Sequence, residues 1–240
     1  MDDEGYALGR ARAELRSTAT RGLDLFHPTV AADADEAWVE VAGRQSGVAR
    51  LPLHVDSVAA SELSIEFADA EQPAVSPDGR WLTFIRQEGG RGSLWRVDRG
   101  PRAERATMPS APRRVVDPTY DVLDAAVWSD GTIVFAAARD SEAKLFSIDV
   151  AGGAIASLDI AARFPSISPD GLWLAYSHAE HGAWQLEVMK RATRERRRLT
   201  RGDCNSLTPA WTPDGANIAY ASDCGRGLGA TALSEMAFVP

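Results

Sequence analysis

Seven polar residues stand just ahead of short apolar segments that recur along this chain: His27, Glu71 with Gln72, Asp124, Arg163, and Asn205 with Thr208. The surroundings repeat and these residues do not, so chemistry belongs to them rather than to the repeat. Histidine, carboxylate, amide and guanidinium groups converging on one axis could hold a polar ligand or a cation. An ordinary funnel whose polar groups meet water is the competing reading. Glu71 and Asp124 are the one obvious carboxylate pair, and glycoside cleavage would require them roughly 5 to 9.5 Å apart across an open cleft.

Other constellations are weaker. A serine hydrolase needs a Gly-x-Ser-x-Gly elbow with acid and histidine partners, and the sequence contains none. His178-Ala179-Glu180-His181 lacks the helical His-Glu-x-x-His order of a zinc site and reads as a solvated loop. Arg194-Glu195-Arg196-Arg197-Arg198 reads as the outward face of an edge strand, where charge discourages pairing, ahead of a phosphate or lipid site. Cys204 and Cys224 lie symmetrically about Asp214. If strands extend outward from that residue, the thiols face each other within reach of a disulfide, which would favour an oxidising compartment; two free thiols in a cytosolic protein are the alternative. No cofactor or metal site is predicted.

The elements that position these residues are spelled by a repeated turn. Ser76-Pro77-Asp78-Gly79, Ser129-Asp130-Gly131, Ser168-Pro169-Asp170-Gly171 and Thr212-Pro213-Asp214-Gly215 place their glycines 52, 40 and 44 residues apart. Alternating apolar segments flank each turn, as Pro73-Ala74-Val75 and Trp81 to Ile85 flank the first. Proline fixes φ, aspartate bonds the local backbone and glycine takes positive φ, so each turn closes a β-hairpin. A third strand follows at Leu94 to Asp98, Leu145 to Asp149 and Gln185 to Met189, and a fourth at Arg114 to Val116, Ala154 to Leu158 and Arg197 to Thr200. Four antiparallel strands in about 45 residues make a propeller blade.

A degraded copy opens the chain, from Pro28-Thr29-Val30 through Trp38 to Val41 and on to Leu63 to Phe67. The last copy is one strand short. Arg16 to Gly22 stands before Pro28 as Arg196 to Gly202 stands before Pro209, with the same Thr-Arg-Gly, and could complete it and close the ring. A helix over Gly5 to Ser17, with Leu8, Ala11 and Leu15 on one face, is the alternative. The predicted fold is all-β, a five-bladed propeller forming one domain over residues 1–240, with blades at about 23–67, 68–118, 119–160, 161–202 and 203–240. Residues 1–22 supply the closing strand or an N-terminal extension. The tryptophans fall on repeated positions, Trp81 with Trp173 and Trp128 with Trp211, and are predicted to pack between blades.

Strand, Ser-Pro-Asp-Gly, strand, and the Leu94-Trp95-Arg96-Val97-Asp98 third strand together resemble the TolB-like family of β-propellers. The resemblance implies first strands lining a central channel and a role in protein interaction, or as a module beside other domains. Periplasmic TolB proteins have six blades and a separate α/β domain; this chain has five units and no room for that domain.

The remaining expectations follow from composition. A net charge of −8 argues against a nucleic-acid partner. The longest apolar run, Ile133 to Ala138, is six residues, far short of the roughly 18 of a membrane helix. Met1-Asp2-Asp3-Glu4 lacks the basic and apolar regions of a secretory signal. The expected location is periplasmic or otherwise extracytoplasmic if the cysteines pair and a leader is missing, and cytoplasmic if not. The expected function is a non-catalytic binding or scaffold propeller recognising a protein or small polar ligand at the channel mouth. The alternatives are a glycoside hydrolase-like enzyme using channel carboxylates, or a propeller fragment of a larger multidomain protein.

Overall fold

In a computed structural model, residues 24–30, 36–42, 47–52, 65–100, 110–139, 142–180, 182–225 and 232–240 are described. The first unit contributes β1 (Asp24–Val30), β2 (Glu36–Ala42), β3 (Gly47–Pro52) and β4 (Ile65–Ala68). The second contributes β5 (Ala70–Val75), β6 (Trp81–Glu88), β7 (Arg91–Asp98) and β8 (Arg113–Val116). Then come β9 (Val122–Val127), β10 (Thr132–Arg139), β11 (Glu142–Asp149) and β12 (Ala156–Ile167), followed by β13 (Trp173–Glu180), β14 (Ala183–Lys190) and β15 (Arg196–Arg198). The final group is β16 (Ser206–Trp211), β17 (Asn217–Ser222) and β18 (Ala232–Ala237).

Every pairing is antiparallel between strands adjacent in sequence, in four sheets: β1-β2-β3-β4, β5-β6-β7-β8, a seven-stranded sheet from β9 to β15, and β16-β17-β18. The seven-stranded sheet departs from the expected four-strand grouping for a local reason. Ala156, Ser157 and Ala161 pair with β11, whereas Ala162, Arg163, Ser166 and Ile167 pair with β13. One uninterrupted strand thus ends one unit and begins the next, where the sequence suggested two. The proposed closing strand at Arg16 to Gly22 and its helical alternative lie outside the described residues.

The turns behave as their chemistry requires. Ser76 Oγ donates to Asp78 Oδ1 (2.6 Å) and accepts the Trp81 N–H (2.9 Å), while Asp78 accepts the Arg80 N–H (3.1 Å). Ser168 with Asp170, and Thr212 with Asp214, repeat this arrangement. The second turn is one residue shorter: Gly131 N–H bonds the Trp128 carbonyl, as Gly171 N–H bonds that of Ser168 and Gly215 N–H that of Thr212. Trp128 therefore occupies the hydroxyl position, one place beyond Trp211, and the two are not register equivalents. They reach in opposite directions, Trp128 Nε1 to the Gly171 carbonyl of the next unit and Trp211 Nε1 to the Ser166 carbonyl of the preceding one. Both still bridge units.

Strand alternation sends neighbouring side chains to opposite neighbours. On β6, Leu82 and Phe84 pack with Trp38 and Phe67, whereas Trp81 and Ile85 pack with Ile133 and Phe135. On β13, Leu174 and Tyr176 meet Val134 and Leu145, whereas Trp173 and Ala175 meet Trp211 and Ile218. Arginines at one repeated position seal the seams. Arg99 pairs with Glu36 and lies 4.9 Å over the Trp38 ring; Arg191 pairs with Asp130 and lies 4.4 Å over the Trp128 ring. The arginine run forms the sheet edge at β15, where Arg198 pairs with Glu180 and Arg197 lies 4.9 Å over the Phe238 ring.

Gly171 sits at φ +71° with Trp128 3.6 Å from where a Cβ would stand, and Gly131 at φ +89° with Val150 Cγ1 at 2.6 Å. Gly171→Val is expected to cost about 1–3 kcal/mol through backbone strain, lowering Tm without selectively changing any activity. Gly131→Val should cost more, because a clash adds to the strain. Thermal melts of both variants check the order, and equal or absent losses would contradict the turn assignment.

Candidate functional site

The first strands of successive units are neighbours: β1 packs beside β5, β5 beside β9, β9 beside β12, and β12 beside β16. Each carries a bulge. The register jumps between Phe26 and Thr29, Glu71 and Ala74, Arg163 and Ser166, and Leu207 and Ala210. The residues passed over are His27-Pro28, Gln72-Pro73, Phe164-Pro165 and Thr208-Pro209. Proline cannot donate to a ladder, so an inner strand accommodates it by bulging. Gln72, Phe164 and Thr208 adopt φ of 52°, 57° and 51°, a left-handed backbone costing about 1–3 kcal/mol each in a residue other than glycine. On β9 the register jump passes over Leu123, next to Asp124. Three of the sequence-derived candidates, His27, Gln72 and Thr208, are thus bulge residues, and bulges re-aim side chains beside functional sites.

Carboxylates hold two of these strained residues across unit boundaries. Glu40 Oε2 accepts the Gln72 N–H at 2.9 Å, and Asp124 Oδ1 accepts the Phe164 N–H at 2.7 Å. Asp124 is buried, and its other oxygen accepts Arg163 Nε at 2.7 Å. The structure therefore joins Asp124 and Arg163, which are 39 residues apart.

The other candidates go elsewhere. Glu71 Oε1 accepts from Gln87 Nε2. Asn205 is a strap: its side-chain oxygen accepts the Trp184 N–H (3.0 Å), while its own N–H and side-chain amide donate to Asp223 (2.6 and 2.8 Å). Thr208 is exposed. His27 lies on β1, but its side chain is outside the described part of the molecule, as is His181. His178 Nδ1 donates to the Ala161 carbonyl at 2.8 Å. Among the described residues, no three His, Cys, Asp or Glu side chains converge as metal ligands.

Beside the Asp124–Arg163 pair lies a cleft of about 400 Å³. Leu123, Ala138, Glu142 and Ala143 line it from β9 to β11; Ala161, Arg163, Ala179 and Trp184 line it from β12 to β14. The Trp184 ring meets Phe164 edge-on at 6.4 Å, and the Arg163 guanidinium lies 4.6 Å from the Phe164 ring centre. Sequence reasoning anticipated Arg163 and missed Phe164, Trp184 and the alanine wall. Cys204 and Cys224 form a disulfide, with Cα atoms 5.1 Å apart, immediately before Asn205 and after Asp223.

No family model matches this sequence, and no curated protein matches it. Solved structures do resemble the fold. TolB from Acinetobacter baumannii superposes with a TM-score of 0.69 at 17% identity, over 89% of this chain and 52% of that one. A putative TolB from Agrobacterium tumefaciens gives 0.69 at 17% identity, over 91% and 78%. A puromycin-hydrolyzing peptidase of Mycobacterium tuberculosis gives 0.65 at 17% identity, over 91% and 37%. With successive antiparallel units packed face to face, these likenesses define the chain as a β-propeller. The fold is TolB-like, and the chain spans about half of the A. baumannii protein and over a third of the peptidase.

Two expectations concern the strap. Iodoacetamide should label neither cysteine until the protein is reduced, and Cys204→Ser should cost roughly 3 kcal/mol, the chain-entropy value for a loop of about 20 residues. Labelling of both thiols in unreduced protein would contradict the bridge. Hydrogen bonds from the Asn205 side chain, then its backbone, hold Asp223 below its ordinary value of 3.8. A carboxylate whose folded pKa is depressed stabilises the protein above the unfolded pKa and loses that effect as pH falls through the folded one. Acid melts should therefore show a loss of stability below pH 3.8 that is smaller in Asp223→Asn; identical acid profiles would count against the strap.

Proposed function

We propose that this chain is a non-catalytic binding or scaffold propeller whose mouth, built on the inner-strand bulges, recognises a protein or small polar ligand. The observation that carries the reading is the repeated left-handed residue before proline. Strain recurs at the same place in three units, where side chains differ, and in two of them a carboxylate of the neighbouring unit holds it. In this reading His27, Glu71, Gln72, Asp124, Arg163, Asn205 and Thr208 belong to the mouth, with Asp124 and Asn205 positioning other groups.

The proposed architecture has five blades, with β12 shared by the third and fourth and the N-terminal segment Arg16 to Gly22 completing the fifth. Blade boundaries fall at about residues 23–67, 68–118, 119–160, 161–202 and 203–240. The disulfide favours an extracytoplasmic location. Superposition on about a third of a peptidase supports a second reading, in which the propeller is one module of a larger protein. The glycosidase alternative is disfavoured because both oxygens of Asp124 already accept hydrogen bonds within the protein.

A photo-crosslinking residue at Thr208 should trap a discrete partner in cells of origin, and one at exposed Leu172 should not. Equal trapping at both positions would overturn the mouth as the recognition surface. Hydrolysis of aryl glycosides that disappears in Glu71→Gln would overturn the non-catalytic reading. Deleting residues 1–22 should lower Tm sharply if they close the ring; an unchanged melt would refute closure.

A further inference from the structure

The Asp124–Arg163 pair leaves Arg163 incompletely engaged. Its Nε donates to Asp124, and no other hydrogen bond from its guanidinium is present among the described residues, so both Nη amino groups remain for an incoming acceptor. Its side chain retains 26% exposure against 6% for Asp124, so the carboxylate sits behind the guanidinium and orients it. The outer face of an arginine presents two parallel N–H groups that match a carboxylate bidentately.

The rest of the cleft has a different character. Leu123, four alanines and the Trp184 indole form small, apolar walls. The one other charged lining group, Glu142, is exposed and pairs with Lys144 at 3.6 Å. A doubly charged phosphate would meet Glu142 and an arginine whose charge Asp124 already offsets, whereas a single negative charge meets less repulsion and an apolar body suits the walls. The volume of about 400 Å³ falls in the range of small-molecule sites, which run from about 300 to 1,000 Å³.

Building on the reading of the mouth as a recognition site, we propose that this cleft binds a compact monocarboxylate with a flat apolar body, its carboxylate on the Arg163 Nη groups and its body against Trp184. The same chemistry is carried by a free aromatic acid and by the C-terminal carboxylate of a peptide ending in an aromatic residue.

Calorimetric titration of the whole chain with phenylacetate, its neutral isostere phenylacetamide, and the dipeptide Ala-Phe as free acid and as amide tests this. Phenylacetate or free Ala-Phe should bind saturably, at least about tenfold more tightly than the matching amide. Tighter binding of free Ala-Phe assigns the carboxylate to a peptide end, and the reverse order to a free acid. Arg163→Gln should weaken binding by at least about tenfold. Because that variant also removes one of the groups that hold buried Asp124, Ala179→Phe provides a second test. It fills the cleft from an exposed wall position and should abolish binding without lowering Tm. Equal binding of acid and amide, unaltered binding in Ala179→Phe, or no binding of either acid would each overturn the proposal. The Thr208 cross-link is independent of these ligands, so a persisting cross-link with no acid binding would reject the carboxylate and retain the wider recognition reading.

Discussion

A unit of four short strands has two apolar faces and cannot bury either against itself. Everything else in the molecule follows from this constraint. Leu82 and Phe84 point to one neighbour and Trp81 and Ile85 to the other, so this sheet is core on both sides. Burying a side chain of this size contributes about 1.5–3 kcal/mol, realised only when the next unit is present. Stability is therefore shared between neighbours, as in other repeat architectures. Arg99 and Arg191 close seams of this kind, laying a cation over the tryptophan of an adjoining unit and pairing with an acid beside it.

Face-to-face packing brings the first strands together, and there the regular ladder fails. Prolines on β1, β5, β12 and β16 lack the donor that an inner strand would use, and the chain bulges. The residue before proline then takes a left-handed conformation at Gln72, Phe164 and Thr208. Glu40 and Asp124 receive the N–H groups of the first two from across a unit boundary, so the strain is held by the same contacts that join units. Asp124 orients Arg163 in the same way. Site geometry and inter-unit cohesion are thus two consequences of one buried carboxylate.

The turns were legible because each residue in them has a separate chemical duty: hydroxyl, fixed φ, carboxylate and positive φ. The cysteine pairing was legible from its symmetry about Asp214. Other features were hidden for physical reasons. A turn shortened by one residue moved Trp128 out of register with Trp211. The junction at β12 needs no turn, so two expected strands became one. Asp124 and Arg163 are 39 residues apart, close to one repeat, and only the period could have suggested their meeting. Asn205 carried the right chemistry for a ligand but uses it to fix Trp184 and Asp223. The cleft walls are mostly alanine, which has no chemistry to read in a sequence and becomes informative only when folding places several alanines opposite an indole.

The central claim is that a carboxylate from one unit holds the strained inner-strand residue of the next. Amide hydrogen exchange at Phe164 in wild type and Asp124→Ala, which removes the acceptor, reads this directly. The Phe164 N–H should be protected in the wild type and lose at least about tenfold in protection in the variant, while the Trp173 N–H, bonded at 2.9 Å to Ser168 Oγ, stays unchanged. Equal protection of Phe164 in both proteins, or a loss spread evenly over Phe164 and Trp173, would contradict it.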